Sequence, residues 1–217
     1  GQATPEDDIY INIWAGSDFT CGLTMSGEIL CWGNNDGLND VAPQGHYDAI
    51  TAYGALFCAT HAEDDAVECW GRDLGTIPNK NGQIDWGPSV QRVDAGSSSL
   101  ENGLATICGI NTTNNQALCL TNEQDPAWDL DGGGEVLQVS VGGAMACTIS
   151  TDNSLTCVTG EEEPNPYIDL PTASKPTDFT QVAAGYDHGC VLTNHGTIGC
   201  WGNNSAGQCD VPFWKIR

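Results

Sequence analysis

Ten of the eleven cysteines fall into pairs at a near-constant spacing: Cys21 and Cys31, Cys147 and Cys157, and Cys190 and Cys200 are ten residues apart, while Cys58 and Cys69, and Cys108 and Cys119, are eleven apart. Each pair brackets two short, largely apolar or β-branched runs around a turn, the pattern of a β-hairpin. If the cysteines of a pair face each other, Val191 opposes Gly199, Leu192 opposes Ile198, Thr193 opposes Thr197, and Asn194-His195-Gly196 is left as the loop. A three-residue hairpin loop favours a left-handed residue at its end, which Gly196 supplies, as do Gly27 in Met25-Ser26-Gly27 and Asn153 in Thr151-Asp152-Asn153. The pairs eleven apart predict four-residue loops, 62–65 and 112–115, both polar. Directly opposed residues at a non-hydrogen-bonded position are close enough for a disulfide, so each hairpin is expected to carry one. Zinc fits poorly, because the sequence has no Cys-x-x-Cys pair and no clustered set of Cys and His ligands.

The hairpins belong to a longer repeat. A small-residue step precedes each, with glycines at Gly16, Gly54, Gly96, Gly142 and Gly185, separated by 38, 42, 46 and 43 residues. A short strand leads into every step: Ile9–Trp14, Ala49–Ala52, Val90–Ala95, Val136–Val141 and Phe179–Ala184. The units run approximately over 9–43, 44–78, 88–126, 135–171 and 178–217, the first and last being nearly superimposable. A sheet this small cannot bury its own faces and must stack on its neighbours. Radial stacking gives a β-propeller, so the expected fold is a single all-β domain of about five blades. Trp32, Trp70 and Trp201 follow the second cysteine and point away from the disulfide, where they are expected to pack between sheets.

Charge and redox chemistry narrow the function. With 6 Lys and Arg against 29 Asp and Glu, the net charge of −23 excludes phosphate-rich partners, and nucleic acid with them. So many paired cysteines imply an oxidising compartment, and neither a leader nor a transmembrane run is visible, so the expectation is a mature, soluble, secreted or cell-surface chain. Asn111 and Asn203 open glycosylation sequons. The histidines make no triad spacing, and no nucleophile, acid pair or cofactor motif is present, so neither enzyme activity nor a cofactor is expected; residues 129–135 resemble a calcium loop only faintly.

The steps Ala184-Gly185, His188, Cys190 and then Gly196, Ile198, Cys200-Trp201-Gly202, Asn204 and Gly207-Gln208 resemble the repeat of the regulator of chromosome condensation family. In repeat length the chain is similar to a secreted β-lactamase-inhibitory propeller, and in its Cys and Cys-Trp-Gly spacing to the crinkly-type ectodomains of plant receptor kinases. The resemblance implies a propeller fold but no one activity, since such propellers act as exchange factors, inhibitors and receptor ectodomains. Family propellers usually have seven blades against the five counted here, which leaves open a five-bladed ring or a part of something larger.

The expected function is therefore a non-enzymatic extracellular structural or interaction protein, partnered by itself or another extracellular protein and able to build a coat or fibre. The alternative is a lectin-like or protein-inhibiting module, using the insertion around Ser97, Ser98, Ser99, Leu100, Glu101 and Asn102 against carbohydrate or protein. Cys209 has no partner in the repeat scheme and, with Phe213, Trp214 and Ile216, is a candidate subunit contact; the same C-terminal segment could instead add a strand beside the N-terminus and close the ring.

Overall fold

The computed structural model describes residues 8–15, 19–33, 44–53, 56–71, 90–97, 105–121, 130, 134–143, 145–159 and 178–211. Among these residues, fifteen strands form five three-stranded antiparallel sheets, each consecutive in sequence. The sheets are β1 (Tyr10–Ala15), β2 (Phe19–Thr24) and β3 (Ile29–Gly33); β4 (Tyr47–Tyr53), β5 (Leu56–His61) and β6 (Val67–Gly71); β7 (Val90–Ser97), β8 (Ala105–Asn111) and β9 (Ala117–Thr121); β10 (Val136–Val141), β11 (Met145–Ser150) and β12 (Leu155–Thr159); and β13 (Phe179–Ala184), β14 (His188–Thr193) and β15 (Ile198–Gly202). No helix occurs among the described residues, and none is long and apolar enough to cross a membrane.

The hairpins have the expected register. Cys190 faces Cys200, Val191 faces Gly199 and Leu192 faces Ile198, and the other four cysteine pairs are likewise directly opposed. All five pairs are disulfide-bonded, with Cα atoms 4.0 to 4.1 Å apart. The loops turn through left-handed residues where the sequence offered them: Gly27, Asn153 and Gly196 end the short loops, and Asp65 and Asn115 end the longer ones. The leading strand of every sheet carries a register shift near its start, so its first paired residue, or in β7 its first two, is out of step with the rest.

Pairing fixes two faces for every sheet. One bears the disulfide and is called here the staple face; the other is the plain face. Phe19, Cys21, Leu23, Ile29 and Cys31 on the staple face of blade one share a core with Ile50, Phe57, Ala59 and Trp70 on the plain face of blade two. The rings of Phe19 and Phe57 lie 4.3 Å apart across that boundary. The scheme repeats: Cys58, Val67 and Cys69 pack with Ala95 and Ile107, and Cys108, Ala117 and Cys119 with Val139, Val141 and Ala146. Met145, Cys147 and Ile149 then pack with Val182, Val191 and Trp201. The core is thus four layers between five sheets, and consecutive leading strands lie side by side.

The recurrent glycine step sits where leading strands come closest. A Cβ on Gly96 would fall inside contact distance of the Gly142 carbonyl oxygen, and one on Gly142 would meet the Gly185 carbonyl in the same way. Backbone cannot yield as a flexible side chain can. Gly142→Ala is therefore expected to lose at least about 2 kcal/mol of stability by forcing blades four and five apart. A urea midpoint unchanged from wild type would contradict that placement.

Candidate functional site

Two sheet faces have no neighbour among the described residues: no sheet packs before the plain face of blade one or after the staple face of blade five. The equivalent positions make the contrast quantitative. Ile50, Val139 and Val182, each opposite the residue after the first cysteine, are no more than 5% exposed, whereas Ile13 in the same register is 59% exposed. Two residues before the second cysteine, Ile29, Val67 and Ala117 are at most 8% exposed, whereas Ile198 is 52% exposed. Ile9 and Ile11 add to the exposed apolar surface at blade one, and Leu192, Cys190 and Cys200 are only half-buried at blade five.

Blade one partly shields itself. The Tyr10 ring covers Gly22, where a Cβ would strike it, and its centroid lies 5.6 Å from that of Trp32. Trp32, beside Tyr10 on the plain face of blade one, is also buried, so that face is open around Ile13 and not throughout; Trp70 and Trp201 pack against the staple face of the preceding blade, as expected. The tyrosine is a lid over one residue and leaves Ile13 outside it.

A polar thread crosses the leading strands. Asp94 Oδ1 accepts hydrogen bonds from Thr51 Oγ1 of blade two (2.9 Å) and from the Ala95 amide (3.0 Å), and Oδ2 accepts from the Val141 amide of blade four (2.9 Å). Burial pushes the Asp94 carboxyl above its ordinary range despite these donors. Further along, Gln138 clamps blade five by donating to the Val182 carbonyl (3.0 Å) and accepting from the Val182 amide (2.9 Å), and Ser140 Oγ accepts from the Ala184 amide (3.1 Å). A groove of about 570 Å³ opens beside this clamp, lined by Arg92, Leu137, Gln138, Phe179 and Gln181 among others. Arg92 reaches it from a left-handed backbone (φ 53°) in the irregular part of β7 and donates to the Leu137 carbonyl.

The histidines are dispersed. His61 and Tyr47 both bond Glu68 Oε2, at 3.2 and 3.0 Å; burial and then the Glu68 charge raise the Tyr47 phenol, which serves here as a brace. His46 bonds the Ser26 carbonyl through Nδ1, His195 is exposed on its turn, and the His188 ring packs over Gly185 at the rim. Among the described residues no three His, Cys, Asp or Glu side chains are grouped to hold a metal ion.

Cys209 is a free, half-buried thiol with Sγ 3.5 Å from the Trp201 carbonyl oxygen. Burial, with the charges of Asp210 and Asp187, raises its pKa, which lowers its thiolate fraction and its reactivity toward a second thiol. The two sequons differ from a free surface loop. Asn111 is buried at the end of β8 with Oδ1 accepting the Thr113 amide, while Asn203 donates to Asp187 and accepts the Ser205 amide. A glycan on Asn111 would have to displace its turn, so Asn203 is the more accessible of the two. Ser97 ends β7, whereas Ser98, Ser99, Leu100, Glu101 and Asn102 of the insertion, the terminal Phe213, Trp214 and Ile216, and most of the 129–135 loop lie outside the described residues.

Comparison with known proteins agrees with this architecture. The Regulator of chromosome condensation (RCC1) repeat matches residues 11–37 and 179–208, within blades one and five. The fold is similar to that of the CRINKLY WD40 ectodomain of the Arabidopsis thaliana receptor kinase ACR4, with TM-score 0.64 and 19% identity over 89% of this chain and 66% of that one. It is similar also to the ectodomain of the Physcomitrella patens receptor kinase CR4, with TM-score 0.67 and 22% identity over 92% of this chain and 53% of that one. Prp20p of Saccharomyces cerevisiae matches at TM-score 0.62 and 13% identity, over 96% and 60% of the two chains. The chain thus spans between about half and two thirds of the length of these structures. Its repeats, its sheet order and the staple in every blade show a β-propeller with one disulfide per blade, similar in fold to these structures and in two of its blades to the RCC1 repeat.

Proposed function

We propose that this protein is a non-enzymatic extracellular interaction protein that acts as a subunit of a surface coat or fibre. The observation that carries the reading is the pair of open apolar faces at the two ends of the sheet stack. On a chain of net charge −23, exposed isoleucines are costly in water unless a partner covers them. The five disulfides and the likeness to receptor ectodomains support an extracellular setting. Light scattering on a sizing column, with electron microscopy of the same sample, tests it. The expected particle is many times the 22.9 kDa chain, with regular form; a monomer at every concentration overturns the reading. Because the staples lie within blades and Cys209 is a poor thiolate, a mild reductant is expected to leave the particle size unchanged.

The groove beside Gln138 favours a second reading, a lectin-like or protein-binding module. Its volume of about 570 Å³, its amide groups and the Arg92 guanidinium suit a polar ligand such as a carbohydrate. That reading expects a monomer whose melting temperature rises with a glycan from a sugar array and is insensitive to it after Gln181→Ala.

A further inference from the structure

We infer that the assembling contact is blade five of one copy on blade one of the next, the Cys190–Cys200 staple face of the first covering the Ile13 plain face of the second. The inference rests on the assembly reading and names its partner as a second copy of this chain.

The argument is one of register. All four interfaces within the chain join a staple face to the plain face of the following blade, never two faces of one kind. At each, at least one of two recurring positions is buried: the strand residue equivalent to Ile13 in blades two, four and five, and the residue two before the second cysteine, equivalent to Ile198, in blades one, two and three. The surface that fits the Ile13 face is thus an open staple face, and blade five carries one; the surface that fits Ile198 is an open plain face, and blade one carries it. A fifth contact of this kind would repeat chemistry the chain already uses four times. Because it joins unlike faces, it leaves one face open at each end of any chain of copies and can propagate. Each copy carries a net charge of −23, so copies repel one another and added salt is expected to strengthen the contact.

Ile13→Asp and Ile198→Asp each charge one face. Both side chains are exposed, so under conditions where wild type is dispersed each variant should keep the wild-type urea midpoint, which certifies its fold. Sedimentation velocity is expected to show each variant alone as a monomer, its self-association weakened by about 100-fold or more. An equimolar mixture is expected to form a pair of twice the 22.9 kDa chain and nothing larger, because each variant retains the face that the other has lost. If wild type assembles and the single variants assemble equally well, or the mixture remains monomeric, the blade-five to blade-one contact is wrong while the assembly reading stands. If wild type is itself monomeric at every concentration and salt, both fall.

Discussion

The double substitution Cys58→Ala, Cys69→Ala is expected to lower the free energy of unfolding by about 4 kcal/mol. Closing an eleven-residue separation restricts the unfolded chain by an amount worth about 3 kcal/mol. The rest comes from packing, since both cysteines are buried between blades two and three against Val90, Ala95 and Ile107, and removing two sulfurs leaves a void there. The corresponding change at Cys190 and Cys200 closes a loop of nearly the same length but on a half-buried, unpartnered face. It should cost only the chain term, about 3 kcal/mol. Urea titration of both variants, under conditions where the protein is dispersed, measures the difference. Timed alkylation during reduction should also find Cys190 and Cys200 labelled before Cys58 and Cys69. Equal losses and simultaneous labelling would mean that blade five is as well covered as blade two.

Asp94→Ala should cost about 3 kcal/mol, and Asp94→Asn about half as much. Alanine leaves the Thr51 hydroxyl and the Val141 amide without their acceptor between three blades, whereas asparagine can still accept from the Val141 amide and donate to the Thr51 hydroxyl, losing only the acceptor of the Ala95 amide. The pH dependence separates charge from shape. Burial raises the folded carboxyl above its unfolded value of 3.8, so the native state holds this proton more tightly. The stability this proton confers is full below about pH 3.8 and is lost as pH rises through the elevated folded pKa. Subtracting the unfolding free energy of Asp94→Asn from that of wild type across this acidic range should therefore give a difference that falls with rising pH and then levels off. A flat difference would show that the carboxyl titrates as if in water.

The hairpins were legible in the sequence because everything that shapes them is local. Cysteine spacing set the register, and Gly27, Asn153 and Gly196 marked their own turns. Leading strands were placed to within two residues; β4 runs from Tyr47 to Tyr53, beyond the expected 49–52, because its early residues pair across a bulge that alternation does not reveal. Asp94 gave no signal at all: an acid in a short strand looks solvated until blades two and four bring Thr51 and Val141 to it. Open faces were equally hidden. Repeats one and five are the most alike in sequence, yet they are the two with an uncovered side, because exposure there depends on which sheet stands next and not on the residues of the repeat. A sheet's own pattern predicts that a face is apolar, and only the order of the stack says whether that face is filled.

Every staple lies inside one hairpin, and none of the five joins one blade to another. Under tension, then, the covalent bonds do not hold the stack shut; the noncovalent layers between sheets yield first. Each blade that peels away still withholds the ten or eleven residues inside its staple, about 35 Å of contour. A stretched molecule would therefore lengthen in shortened steps and keep five small knots of preformed register from which to rewind, and adding a reductant would lengthen those steps by the withheld amount.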